Sequence, residues 1–266
     1  MEPPEEIKDL CQALLQGLRV VLGDKLYGLY LYGAAAFPDS GPIGDIDFHV
    51  ILKTALTDWE KKELENLYAT LARDFPPLGT ELDGYYILLS EAQQPSPPTH
   101  QLRTDIVDSS WALHRAHIRA GRCIVLQGPD PARVYPPVSW PEVESALDGE
   151  LKYVEDHLDD YPDYCILNLC RLMYSFETHD VVVSKAAAAA WAWDAFPDWR
   201  RHVEFAQKSY ARQGTPEERK FMLSDVKRFF WFASEHINRS RTAALSRSSW
   251  IQSPPTWQQT RGTNQQ

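Results

Sequence analysis

From Trp140 onward the chain contains no stretch that reads as a strand. Apolar residues recur at helical spacing over 140–159, 164–177, 185–195, 198–212 and 216–240, and the breaks fall at Pro162, Pro197 and the Gly214–Pro216 turn. A chain half of which is built this way must bury helix against helix there. The first half reads differently. Ile7, Leu10, Leu14, Leu18 and Val21 lie on one face of a helix whose first turn carries Glu5 and Glu6 and which stops at Gly23. "KLYGLYLYG" (25–33), "DIDFHVIL" (45–52) and "ELDGYYILL" (81–89) are short and rich in aromatic and aliphatic residues, and read as strands. Between the last two, "TDWE" is a capping-box pattern with Thr57 as N-cap, predicting a helix to Phe75. Helix, strand, strand, helix, strand make a compact α/β unit, followed by the proline-rich loop 91–100, a strand-like "RCIVLQG" and a break at Pro129–Pro137. The spacing thus predicts one domain over 1–135, a helical bundle over 136–245, and a disordered polar tail over 246–266.

Composition narrows the partners. With 266 residues and a formal charge of −10, the chain offers no broad basic surface for a nucleic-acid backbone, and a polycationic small molecule suits it better. Cys11, Cys123, Cys165 and Cys170 show no CxxC spacing and read as reduced packing thiols. No signal peptide is apparent in the acidic "MEPPEEIKD", and no long apolar run occurs. These readings predict a cytoplasmic protein that engages neither membrane nor nucleic acid.

The chemistry concentrates in "LYLYGAAAFPDSGPIGDIDFHVIL" (29–52). Side chains alternate across a strand, so Asp45, Asp47 and His49 are expected on one face while Ile46, Phe48 and Val50 enter the core. Carboxylates two residues apart, about 7 Å along a strand, can reach one hard cation, and magnesium takes one or two such ligands with phosphate oxygens completing its shell. Gly33 at the end of the preceding strand lets backbone N–H groups approach a phosphate. Aspartates also gather at strand starts for no chemical reason. The loop glycine and a further acid, Asp83, on the next strand favour the metal reading, because converging carboxylates repel unless a cation joins them.

These residues resemble the motif of the polymerase-beta-like nucleotidyltransferases. The second half, "YCILNLCRLMYSFETHDVVVSKAAAAAWAWDAFP", is similar to the helical domain of the streptomycin/spectinomycin-type aminoglycoside adenylyltransferases. Together the likeness covers roughly residues 26–240. It implies an α+β fold, an N-terminal nucleotidyltransferase domain with a mixed sheet flanked by helices followed by an α-helical bundle. It implies AMP transfer from ATP, with Mg2+, to a hydroxyl of an aminoglycoside, releasing pyrophosphate. Asp45 and Asp47 would bind the metal and Asp83 would take the proton of the attacking hydroxyl, with Glu81 as its rival. Gly33 and Ala34 would approach the nucleotide, and Arg171 and Lys185 would hold the triphosphate.

On the helix from Tyr164, Asn168, Arg171 and Ser175 form a polar stripe, and Ser184 caps the helix that Lys185 begins. The run "EDHLDDYPDY" is either a solvated face or a wall for the acceptor's ammonium groups. Asp160 and Asp163 are the candidates for that wall. Trp111, His114 and His117 are assigned no chemistry. Two departures from the resemblance stand out, since Ala34 and Gly44 occupy positions where the family usually has phosphate-holding serines. The readings that follow are a monomeric adenylyltransferase, a nucleotidyltransferase for another hydroxyl compound such as a lincosamide or metabolite, or a non-catalytic nucleotide sensor.

Overall fold

The computed structural model describes residues 1–40 and 43–251, the side chains of 245–251 excepted. In chain order the regular elements are α1 (Glu5–Leu22), β1 (Leu26–Leu31), β2 (Ile46–Leu52), α2 (Asp58–Asp74), β3 (Leu82–Leu88), a single turn α3 (Leu89–Ala92), α4 (Trp111–Arg119) and β4 (Ile124–Gln127). The helical half follows as α5 (Trp140–Asp156), α6 (Pro162–Thr178), α7 (Lys185–Ala195), α8 (Arg200–Tyr210) and α9 (Pro216–Ile251). The strand order is β3-β2-β1-β4, with β1 antiparallel to β2 and β4, and β2 parallel to β3.

The local signals act where they were read. Thr57 Oγ1 accepts the N–H of Glu60 at 3.2 Å while the Glu60 carboxylate accepts the N–H of Thr57 at 2.6 Å, so the capping box closes and starts α2. Two apolar layers cover the sheet. Ile46, Phe48, Val50 and Leu52 pack with Leu14 and Leu18 of α1 and Leu64 of α2. The other face carries Tyr30, Tyr32, Ile51 and Ile87 under Trp111, Ile118 and Tyr135. His49 lies on that second face and is fully buried rather than presented to a site, because α4 and the 134–135 segment cover it.

In the helical half, α6 is buried on most sides. Cys165, Leu169, Cys170 and Met173 pack with Ala188 of α7, Val203 of α8 and Phe229 of α9. Its proline start suits the first helical turn, where no intrahelical donor is needed. Ala112 and Leu113 of α4 join this second core, so α4 packs against both halves. Arg115 of the same helix, completely buried, donates to the carbonyls of Pro95 and Pro137 and pairs with Glu142 at the start of α5. The helix α9 runs to Ile251, into the stretch expected to be tail, since nothing from Arg239 to Ile251 is a proline or glycine. The rest of that stretch, 252–266, lies outside the described residues. No helix among the described residues is long and apolar enough to cross a membrane. All four cysteines are buried and free.

Candidate active site

A cavity of about 240 Å³ opens between the sheet and the helical half. Its floor is built at the end of β1. Gly33 has φ +64°, a left-handed backbone that glycine adopts without cost, and a β-carbon there would lie 1.9 Å from Oδ2 of Asp47. The carboxylate of Asp47 therefore rests on the Gly33 α-carbon. The backbone is tied at the same level, with the N–H of Tyr32 donating to the carbonyl of Asp47 at 3.0 Å.

Asp47 and Asp83 are register partners on the parallel strands β2 and β3, so both carboxylates leave the sheet on one face. Asp45 precedes β2 by one residue and is exposed at the cavity's edge. Crowding of acids in a partly desolvated place has the expected effect: burial first, then the Asp45 charge, with Asp83 adding, push the Asp47 carboxyl up to about 7 against the pull of His114 and Lys185. The donor set is all oxygen, which suits a hard divalent cation. A second group of ligand-type atoms, one each from His49, Asp108 and His114, lies within 4.8 Å of one another under Tyr32. There the imidazole of His114 is already bonded through Nδ1 to Asp108 Oδ2 at 2.9 Å.

The facing wall is cationic. Ser184 caps α7 by accepting the N–H of Ala187 at 2.9 Å, and its hydroxyl donates to Asp39 at 2.9 Å, pinning the loop after Gly33 to the bundle. Lys185, the first residue of α7, projects between Tyr164 and Tyr210, its Nζ 4.7 Å from each ring centre. Burial, then the neighbouring Arg171, lower its pKa, while Asp45, Asp47 and Glu150 draw it back up. Arg171 lines the same space from α6, as do Asn168 and Ser175, so the whole polar stripe read from the sequence faces the cavity.

The remaining candidates are distributed unevenly. Gly33, Ala34, Asp45, Asp47, Arg171 and Lys185 line the cavity. Asp83 stands beside Asp47 but outside the lining, exposed at the edge of the sheet. Glu81 lines a separate hollow with Gly44, Asp45 and Arg212. The structure does not bring Asp160 or Asp163 to the cavity. Asp163 accepts the hydroxyl of Ser209 at 2.6 Å, and Asp159 and Asp156 of the same run pair on the surface with Lys227 and Lys152.

Sequence reasoning passed over His114, His117, Ser110 and Glu150, all of which line the cavity. Burial alone would lower the His114 pKa, but its contact with Asp108 reverses the sign and raises it. His117 goes the other way, down to about 3, from burial and Arg171, and its Nε2 meets the carbonyl of Val181 at 2.6 Å. Ser40, from the loop that follows Ala34, also lines the cavity.

An acidic edge of a mixed sheet, a glycine held beneath one carboxylate and a facing bundle with a half-buried lysine form one two-sided site. Residues 133–235 match the model of the aminoglycoside adenylyltransferase C-terminal domain. Over 214 residues, 73% of this chain and 83% of the relative, the sequence is 22% identical to spectinomycin 9-adenylyltransferase of Enterococcus faecalis. The crystal structure of a spectinomycin adenyltransferase from the same organism, solved with ATP and spectinomycin, superimposes with a TM-score of 0.70 at 17% identity, covering 86% of this chain and 98% of that one. The helical half thus matches the C-terminal domain of the aminoglycoside adenylyltransferases, and the chain as a whole shares the fold of the structure solved with ATP and spectinomycin.

Proposed function

We propose that this protein transfers AMP from ATP to a hydroxyl of an aminoglycoside or aminocyclitol antibiotic. The observation that carries this is the facing of Asp45 and Asp47 against Arg171 and Lys185 across one cavity. Such a pair of walls suits a triphosphate, with cations on one side and metal-binding acids on the other. In the proposed reaction the acceptor oxygen bonds to the α-phosphorus, the bond from that phosphorus to the bridging oxygen breaks, and pyrophosphate leaves. Asp83 takes the hydroxyl proton, being level with Asp47 on the same face of the sheet, and Glu81, at the outer hollow, is the alternative. Asp45 and Asp47 would hold magnesium, which neutralises phosphate charge when bound. Arg171 and Lys185 orient the triphosphate, and Lys185 is kept in place by the two tyrosine rings.

The test is incubation of the purified chain with ATP, magnesium and spectinomycin or streptomycin, followed by mass detection of an adenylylated product and assay of pyrophosphate. Absence of both with every acceptor in a panel that includes lincosamides would remove the assignment. Ala34 and Gly44 favour a second reading, a nucleotide sensor, which would bind ATP without turnover. We further propose a division near residue 135, a monomer, and a cytoplasmic location in keeping with four buried free thiols.

A further inference from the structure

The helical half places one acid in the cavity, and it is not in the run from 155 to 163. Glu150, on α5, lines the cavity beside Asn168 and Ser110. Its Oε1 accepts the hydroxyl of Ser110, and its Oε2 accepts Nδ2 of Asn168 at 3.4 Å. Asn168 is itself only 4% exposed, so this donor is fixed by packing. Ser110 is fixed in turn, its N–H donating to Asp108 Oδ1 at 2.9 Å. A carboxylate held at both oxygens by neutral donors is oriented without being neutralised.

Charge bookkeeping then identifies what is missing. Among the described residues Glu150 forms no ion pair, and the cations that feel its charge from a distance are engaged elsewhere: His114 with Asp108, and Lys185 between its two tyrosines. A half-buried carboxylate without a directly bonded cation is costly, and a carboxylate has about four acceptor sites, of which Ser110 and Asn168 occupy two. A phosphate would be repelled here. The ligand that fits is a protonated amine bearing hydroxyl groups.

We propose that Glu150 is the specificity-determining residue that recognises an ammonium group of the acceptor, in the place that sequence reasoning gave to Asp160 and Asp163. This rests on the adenylyl-transfer reading, and deepens it by naming the contact that selects a cationic acceptor. Two variants separate charge from shape. Glu150→Gln keeps the volume and a hydrogen-bonding oxygen but removes the charge, whereas Glu150→Asp keeps the charge.

The experiment combines steady-state kinetics with equilibrium titration of spectinomycin, a dibasic aminocyclitol, into the full chain. Glu150→Gln is expected to raise the spectinomycin KM and Kd at least tenfold while the ATP KM stays within twofold, and Glu150→Asp is expected to recover part of the loss. An unchanged spectinomycin KM overturns the proposal and leaves adenylyl transfer standing. Equal losses for ATP and acceptor also overturn it, because they assign Glu150 to the cavity's shape. Should the wild type adenylylate only uncharged hydroxyl compounds, the transfer reading survives and the role of Glu150 falls. Should no acceptor be adenylylated, the transfer reading falls, and the titration alone decides: tighter binding of spectinomycin to wild type than to Glu150→Gln supports the contact, and equal or absent binding overturns it.

Discussion

Oδ2 of Asp47 occupies the space that a β-carbon on Gly33 would fill, at 1.9 Å. Two constraints coincide at Gly33, a left-handed backbone and a carboxylate laid on its α-carbon, and neither can be relieved without moving the acid that would hold the metal. Gly33→Ala should therefore cost about 1–2 kcal/mol in backbone strain alone, and should displace Asp47 as well. Urea unfolding would register the first effect. Turnover should fall by far more than the stability loss explains, and a Gly33→Ala protein retaining half the wild-type kcat would contradict this account of the floor.

Asp47 shows what the acidic edge costs the fold. Its carboxyl is raised, so between the ordinary 3.8 and about 7 the native state holds more protons than the unfolded chain. Under that condition stability declines as pH rises through the window, and the full cost is present above it. Asp47→Asn removes the titrating group. In metal-free buffer the variant should melt above wild type at pH 8, with the difference shrinking toward pH 4, while activity is lost at every pH. Thermal melts at the two pH values check the sign, and a variant less stable than wild type at pH 8 would refute it.

Where the signal was local, the fold was legible. Thr57 with Glu60 and Ser184 before Lys185 mark helix starts that the structure reproduces, because a cap acts within one turn. For His49 the local signal gave the face but not its cover. Strand alternation assigns a side chain to a face, yet whether that face is covered depends on Trp111 and Tyr135, remote in sequence. Glu150 was hidden among Glu142, Glu144, Asp148 and Glu155 on one acidic helix, and only the packing of α5 near Ser110 and Asn168 distinguishes the one that lines the cavity. The length of α9 could have been read, since the chain past Arg239 contains no breaker before Pro254.

Lys185 is held by two aromatic faces at 4.7 Å and by a weak contact to the Tyr210 hydroxyl at 3.4 Å. Each partly desolvated cation–π contact contributes about 0.5–2 kcal/mol, so the ammonium is positioned before any phosphate arrives. Lys185→Met keeps the stem packing and removes the charge. The ATP KM should rise at least tenfold, about 1.4 kcal/mol, with a smaller change in the acceptor KM. Kinetics with each substrate varied in turn would show the split, and an effect confined to the acceptor would be incompatible with a triphosphate contact.

Ser184 does two things at once: it caps α7 through the N–H of Ala187 and donates to Asp39 in the loop that follows Gly33. Ser184→Ala should cost about 1 kcal/mol from the lost cap, and should also weaken ATP binding because the loop and Lys185 lose their common anchor. Asp39→Asn separates the two roles, since the cap survives while the charged acceptor is replaced. Its stability should remain close to wild type, with the ATP KM moving in the same direction as in Ser184→Ala. If Asp39→Asn leaves the ATP KM untouched, the loop is held by other contacts.

Asp83 and Glu81 divide the last open role by position. Asp83 is level with Asp47 across the parallel pair, whereas Glu81 lies on the far side of Leu82, its carboxylate near the hydroxyl of Thr80 at 3.4 Å. A general base contributes about 10²–10⁴-fold to rate, and its loss should appear in kcat rather than in the KM of either substrate. Asp83→Asn is expected to lower kcat within that range at neutral pH and to leave ATP binding measurable by titration. Glu81→Gln should stay within a few-fold of wild type. Reversal of the two results would move the proton acceptor to Glu81 and to the hollow it shares with Asp45 and Arg212.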